Sequence, residues 1–143
     1  MAIKQLSIFV ENKEGKLAKI TELLTKSEVD IRAMSIADTQ DFGILRLIVS
    51  DARKAAAVLS ENNCVVHVTD VIGVAVEDKP GGLAKVVRLL SDNNINIEYM
   101  YAFITISKQY AYVVFRVEDN EKASALLESE NIRLVTEEDI TSL

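Results

Sequence analysis

Phe9-Val10-Glu11-Asn12-Lys13-Glu14-Gly15-Lys16-Leu17-Ala18-Lys19 returns 66 residues later as Ala75-Val76-Glu77-Asp78-Lys79-Pro80-Gly81-Gly82-Leu83-Ala84-Lys85, and that recurrence decides the fold. Self-similarity at a fixed shift marks one supersecondary unit written more than once. Outward from this stretch the match runs without a gap through Leu23-Leu24 over Leu89-Leu90 and Ile31 over Ile97, to Met34 over Met100. Two residues then enter the second copy. After them Leu47-Ile48-Val49-Ser50-Asp51 lies over Phe115-Arg116-Val117-Glu118-Asp119, and Ala55 and Leu59 lie over Ala123 and Leu127. Glycine, charge and apolar positions agree together, so the chain divides into one module over 1–69 and a second over 70–143.

Periodicity assigns the elements inside each copy. Residues 4–10 and 71–77 alternate or run β-branched, as strands do. From Gly15 the spacing becomes helical, with Leu17, Ile20, Leu23 and Leu24 on one stripe, repeated by Leu83, Val86, Val87 and Leu90. Ile31 to about Thr39 and Phe42 to Val49 read as strands joined at Gln40-Asp41. Ile97 to Ile106 and Tyr110 to Val117 do the same around Ser107-Lys108-Gln109. Asp51 and Asp119 are N-caps for a second helix, since a short side-chain oxygen takes its free N–H groups. Ala55, Val58 and Leu59, then Ala123, Leu126 and Leu127, form that helix's inner face. Cys64–Val68 and Ile132–Val135 close each copy as a fourth strand.

The order βαββαβ predicts an α+β chain of two ferredoxin-like modules. Each is an antiparallel four-stranded sheet with two helices on one face. Cys64-Val65-Val66-His67-Val68-Thr69-Asp70-Val71-Ile72 carries no proline- or serine-rich linker, so the modules are expected to pack side by side.

Composition narrows the function classes. Of 143 residues, 49% are hydrophobic and 27% charged, which suits a folded globular chain. Basic residues are outnumbered 16 to 22, a net charge of −6. Such a surface repels phosphate backbones and anionic lipid, so neither nucleic acid nor a membrane is an expected partner. No apolar run approaches the ~20 residues of a membrane span. Met1-Ala2-Ile3-Lys4-Gln5 lacks the apolar core of a secretory signal, and Cys64 has no second cysteine to pair with. A cytoplasmic protein is expected. His67, the only histidine, has no second histidine or cysteine to complete a metal site or a dyad, and reads as a structural residue. Cys64 reads as a buried, inert thiol. Gly-x-Ser-x-Gly, P-loop and His-Glu-x-x-His patterns are absent, so no catalytic residue, metal or cofactor is expected.

The segment best suited to chemistry is the turn from first strand to first helix. Glycine there lets the backbone bend and lets a ligand approach. The N–H groups that follow are the unpaired donors of a helix start, suited to a carboxylate or phosphate. Asp78 with Asn96, and Asn12 with Asp30, would add a carboxylate and a carboxamide at each site, a set complementary to an amino-acid zwitterion. Glycine and proline at such a turn are also plain turn chemistry, and a short polar side chain there is also a cap.

Asp78-Lys79-Pro80-Gly81-Gly82-Leu83, followed by Asn94-Ile95-Asn96-Ile97, resembles the ACT domain pattern, and the resemblance covers both copies. In the first copy Glu14 replaces the proline and Val29-Asp30-Ile31 the asparagine triplet. The resemblance implies a non-catalytic regulator that binds a small molecule, usually an amino acid, at this loop and at the start of the second strand, between adjacent domains. Carried over by position, the binding residues are Asp78, Lys79, Gly81, Gly82, Leu83 and Asn96. A second set is Asn12, Gly15, Lys16, Leu17 and Asp30. The departures in copy one point to one good site, around Gly81 and Gly82. A regulated metabolic enzyme and a second copy of the chain, forming a homodimer, are the expected protein partners. An acylphosphatase-like hydrolase and a structural adaptor that holds a protein through its sheets stand as alternatives.

Tyr99, Tyr101, Tyr110 and Tyr112 fall on adjacent strands of copy two, where copy one has Ala33, Ser35, Phe42 and Ile44. They read as cross-strand pairs or as the lining of a contact. The tail Glu137-Glu138-Asp139 reads as a solvated acidic face.

Overall fold

The computed structural model describes residues 2–38, 41–104 and 109–143. The expected hairpin turns at Gln40 and at Ser107-Lys108, and the strand ends at Thr39 and Ile106, lie outside the described residues. The chain forms two compact units. One comprises Lys4–Thr69 with Ile140–Leu143; the other comprises Asp70–Asp139 with Ala2 and Ile3.

In the first of these, β1 (Ile3–Glu11) pairs antiparallel with β3 (Phe42–Val49), from Leu6 opposite Leu47 to Glu11 opposite Phe42. β2 (Ile31–Asp38) pairs with the other edge of β3. The Phe9 N–H donates to the Val65 carbonyl at 3.2 Å, which sets the fourth strand beside β1. Alternation sends Leu6, Ile8, Val10, Leu45, Leu47 and Val49 to one face. There they meet Ile20 and Leu24 of α1 (Lys16–Lys26) and Ala55 and Leu59 of α2 (Ala52–Glu61).

The other unit repeats the plan. The later part of β4 (Val66–Glu77) pairs with β6 (Tyr110–Val117) from Ile72 opposite Phe115 to Glu77 opposite Tyr110. β5 (Ile97–Ala102) lies on the far side of β6, and β7 (Leu134–Val135) pairs with β4, giving the order β7-β4-β6-β5. Ile72, Val74, Val76, Val113, Phe115 and Val117 pack on Val86 and Leu90 of α3 (Gly82–Asp92) and Ala123 and Leu127 of α4 (Asn120–Ser129). The ferredoxin-like α+β fold is thus present twice.

Caps follow the sequence closely. The Asp51 carboxylate accepts from the Lys54 N–H and that of Asp119 from the Lys122 N–H, both at 3.0 Å. At their C-termini the four helices α1 to α4 turn off through a left-handed residue: Glu28, Asn63, Asn94 and Asn131, with φ between 58° and 64°. The next N–H then reaches five residues back, Val29 to Leu24, Cys64 to Leu59, Ile95 to Leu90 and Ile132 to Leu127, at 2.9 to 3.0 Å. These are Schellman closures, and they let the following apolar residue enter the core.

Several expectations need correction. The fourth strand of copy one and the first strand of copy two, read as separate, are one continuous strand, Val66–Glu77. The fourth strand of copy two keeps only Leu134–Val135, because Thr136 begins a helix, α5 (Glu137–Ser142). The Thr136 hydroxyl accepts from the Asp139 N–H at 3.0 Å while the Asp139 carboxylate accepts from the Thr136 N–H at 2.9 Å, a reciprocal capping box. Glu137 and Glu138 are exposed as expected, but Asp139 is half-buried; beyond it Ile140 is only 2% exposed, and Arg32 donates to the Ile140 carbonyl at 2.9 Å. Cys64 is half-buried, not the buried thiol expected, and His67 is exposed on β4. Tyr99 and Tyr101 stack along one strand, and Tyr112 instead meets Phe103 edge to face at 5.9 Å across the ladder.

Candidate functional site

The strand–helix loop is built identically in outline in both units. Gly81 (φ 87°) and Gly15 (φ 83°) stand in the left-handed region just before α3 and α1, where a β-carbon is strained. The Lys79 N–H donates to the Glu77 carbonyl at 2.9 Å, and the Lys13 N–H to that of Glu11 at 2.8 Å. The Gly82 N–H then reaches the Lys79 carbonyl at 3.0 Å; at the matching place the Lys16 N–H reaches that of Lys13 at 3.4 Å. The looser turn has a cause. A β-carbon at Gly82 would overlap the backbone carbonyl oxygen of Glu77, so only glycine permits the tighter closure. Gly81 and Gly82 thus have different tasks, one of torsion and one of close approach.

Charge is organised around each loop. Lys79 pairs with Glu77 at 2.7 Å and Lys13 with Glu11 at 3.1 Å. The hydrogen bond from Lys79, and then its charge, hold the Glu77 carboxyl below its usual range; the same bond raises the Lys79 ammonium. Glu11 is lowered in the same way by Lys13.

Behind each loop lies a recess inside its own unit. In the unit holding Asp70–Asp139 it measures about 300 Å³ and is lined by Glu77, Lys79, Gly81, Gly82, Lys85 and Arg133, with Tyr110 and Asn131. In the other unit it measures about 210 Å³, with Glu11, Lys16, Lys19, Asn63 and Cys64 among its walls. The recess forms because the fourth strand runs antiparallel to the first. The loop leading into it (Asn131 or Asn63) therefore meets the end of the first strand and the start of its helix.

The structure brings some of the expected residues together and separates others. Lys79, Gly81 and Gly82 share one recess, and Lys16 lines the other. Gly15, whose φ sets the turn before α1, and Leu17, which packs on the core of its unit, belong to the loop as well. Leu83 is 39% exposed at the start of α3. Asp78 faces away, toward Gln109 and Tyr110, and its N–H donates to the Gln109 carbonyl. Asn12 likewise donates its N–H to the Asp41 carbonyl.

Asn96 and Asp30 are not at these recesses. The 11-residue α3, about 16 Å long, carries the chain to the opposite end of the sheet before Asn96. Asn96 lines a wider recess of about 920 Å³ with Asp70, Glu98, Glu118, Asp119 and Glu121. Asp30 pairs with Arg32 at 2.7 Å. The expected pairs Asp78 with Asn96 and Asn12 with Asp30 therefore do not assemble within a unit. Asn94, which carried part of the family pattern, has a backbone task as the left-handed residue closing α3.

Fold order, doubled glycine loop and helix closures together describe one architecture, and the ACT domain pair model matches residues 1–143. The chain belongs to the ACT domain family. Protein BT0572 from Bacteroides thetaiotaomicron has 42% identity and a TM-score of 0.93, covering 100% of this chain and 98% of that one. The regulatory subunit of aspartate kinase from Thermus thermophilus has 15% identity and a TM-score of 0.64 over 88% of this chain and 91% of that one. Aspartate kinase from Synechocystis, at 23% identity and a TM-score of 0.60, is matched over 89% of this chain but only 25% of its own. These last two share the fold. No curated protein matches the chain.

Lys85, Arg133, Lys19 and the Asn131 and Asn63 turns were not picked out from the sequence. Lys19 and Lys85 do occupy the same place in the two ACT modules, as the last residues of the repeated stretch, which was the available signal. Arg133 has no such marker, because Val65 stands at the corresponding place. Among the described residues no helix is long and apolar enough to cross a membrane, and no group of three or more His, Cys, Asp or Glu residues is arranged to hold a metal ion.

Proposed function

We propose that this ACT domain pair is a non-catalytic regulatory protein of the cytoplasm, which binds a small amino acid or related metabolite at its strand–helix loops and acts on a metabolic enzyme. The observation that carries this reading is the paired loop itself. Gly81 and Gly15 hold the same left-handed torsion, and each loop opens onto a recess of metabolite size inside its unit. Ligand would favour one arrangement of the loops over another and so shift a population, as any differential binder must.

The loop of the module at 70–143 is the better site: its double glycine gives the tighter turn and its recess is the larger. A homodimer is the assembly we expect. β2 is an end strand of its sheet and carries Met34 and Ile36, 37% and 52% exposed, on the side a second copy would cover. Asn96 and Asp30 are remote from the loop of their own unit.

The test is a thermal-shift screen of the full chain against the twenty amino acids at about 10 mM. A ligand present at many multiples of its dissociation constant raises the melting temperature by mass action. At least one amino acid should do so, and the Gly81→Ala variant should lose the response. A flat screen overturns the reading.

A further inference from the structure

The two loop recesses are positive in a negative protein. The chain carries 16 basic and 22 acidic residues. Yet the larger recess is lined by three cations, Lys79, Lys85 and Arg133, against one carboxylate, Glu77. The smaller is lined by Lys16 and Lys19 against Glu11. The same sign reversal in both copies, inside a chain of opposite sign, is not a consequence of overall composition. By contrast, the wide recess around Asn96 is lined by five carboxylates and a lysine.

Not all of these cations are spoken for. Lys79 is held by Glu77, and Arg133 by Asp139 at 3.2 Å through one nitrogen. Lys85 and Lys16 act on Glu77 and Glu11 through charge alone, and among the described residues neither they nor Lys19 forms a direct ion pair. A cation left unpaired in a recess, beside an arginine able to hold an oxyanion with two N–H groups, is arranged for a negative guest. One free lysine plus one arginine suits two anionic groups on one small molecule, and about 300 Å³ limits that molecule to metabolite size.

We infer that the ligand of the recess at Gly81 and Gly82 is a small dianion, a dicarboxylate or a phosphate ester, recognised by Lys85 and Arg133, and that Lys19 with Lys16 gives the other module a weaker form of the same site. This rests on the proposal that the loops bind a small ligand, and it names the class. An acidic amino acid belongs to that class; a neutral or basic one does not.

The experiment is titration calorimetry on the full chain at constant ionic strength, adjusted with sodium chloride so that screening is equal throughout. The probes are succinate, aspartate, inorganic phosphate, alanine and lysine. Succinate and aspartate binding without phosphate identifies the dicarboxylate; phosphate binding without them identifies the phosphate ester. Lys85→Gln should weaken the binding probe about tenfold, the usual scale for one charge-assisted hydrogen bond. Lys54→Gln, an exposed lysine on α2, should leave it unchanged. Lys85→Gln binding as the unaltered chain does overturns the inference. So does alanine or lysine binding as well as the dianions, although the proposed ligand-binding function then stands. Silence from every probe, together with a flat amino-acid screen, removes both.

Discussion

Gly82→Ala is the most informative single substitution in this chain. The added β-carbon would overlap the Glu77 carbonyl oxygen and sit 2.9 Å from the Glu77 carbonyl carbon. Neither atom belongs to a side chain that can rotate away, so the end of β4 and the start of α3 must separate. Overpacking relieved by side-chain movement costs about 1–3 kcal/mol, and a clash between two backbone segments belongs at the upper end, about 3 kcal/mol. Glycine's extra chain entropy, about 0.5–1 kcal/mol, offsets part of this and leaves about 2 kcal/mol. At roughly 2.1 cal/mol/K per residue, 143 residues have an unfolding entropy of about 0.3 kcal/mol/K, so the melting temperature should fall by about 7 °C. Scanning calorimetry reads this directly. Gly15→Ala is the control, since a β-carbon there meets nothing within 4 Å and pays only for its φ of 83°. That strain is about 1–2 kcal/mol, less the same entropy gain, a fall of about 2–3 °C. If Gly82→Ala melts within 2 °C of the unaltered chain, or no lower than Gly15→Ala, the close-approach argument is wrong.

Of the left-handed residues that close α1 to α4, Glu28, with φ 58°, stands where the other three are asparagine. Glu28→Gly should relieve about 1–2 kcal/mol of strain against about 0.5–1 kcal/mol of chain entropy, and so raise the urea midpoint; an unchanged or lower midpoint refutes this. Asp139 should make the C-terminal helix acid-sensitive. Its carboxyl is held below the usual range first by the Thr136 N–H; burial opposes this, and the Thr136 hydroxyl and Arg133 add to the lowering. A carboxyl lowered on folding contributes stability above its unfolded value, near 3.9, and loses that contribution as the pH falls through its folded value. Amide protection of residues 137–142 should therefore drop more steeply below about pH 4 in the unaltered chain than in Asp139→Asn. Parallel profiles would show that the capping box does not hold the helix.

Much of this architecture is local, and local features are legible in sequence. The repeat at 66 residues, the β-branched run of 71–77 and the apolar stripe at Leu83, Val86 and Leu90 each depend on neighbours a few positions away. So do the caps at Asp51 and Asp119. The Thr136-to-Asp139 capping box is equally local, a threonine hydroxyl three residues ahead of a carboxylate, although the acidic charge of the tail masks it.

The candidate site is legible only in part, and the division has a physical reason. Gly81 and Gly82 announce a tight turn, but which of them must be glycine for torsion and which for space depends on where the Glu77 carbonyl lies. The pairing of Asp78 with Asn96 looked right along the chain and fails in space, since a helix of eleven residues separates the two ends of the sheet. The charge of the recess is a tertiary fact as well. It exists because the antiparallel fourth strand returns Arg133 to the loop that ends the first strand, next to Lys85. By itself the sequence determined the doubled ferredoxin-like plan, through periodicity and capping. Only the folded chain decided which side chains meet, because that requires the long-range register of β4 with β6 and β7.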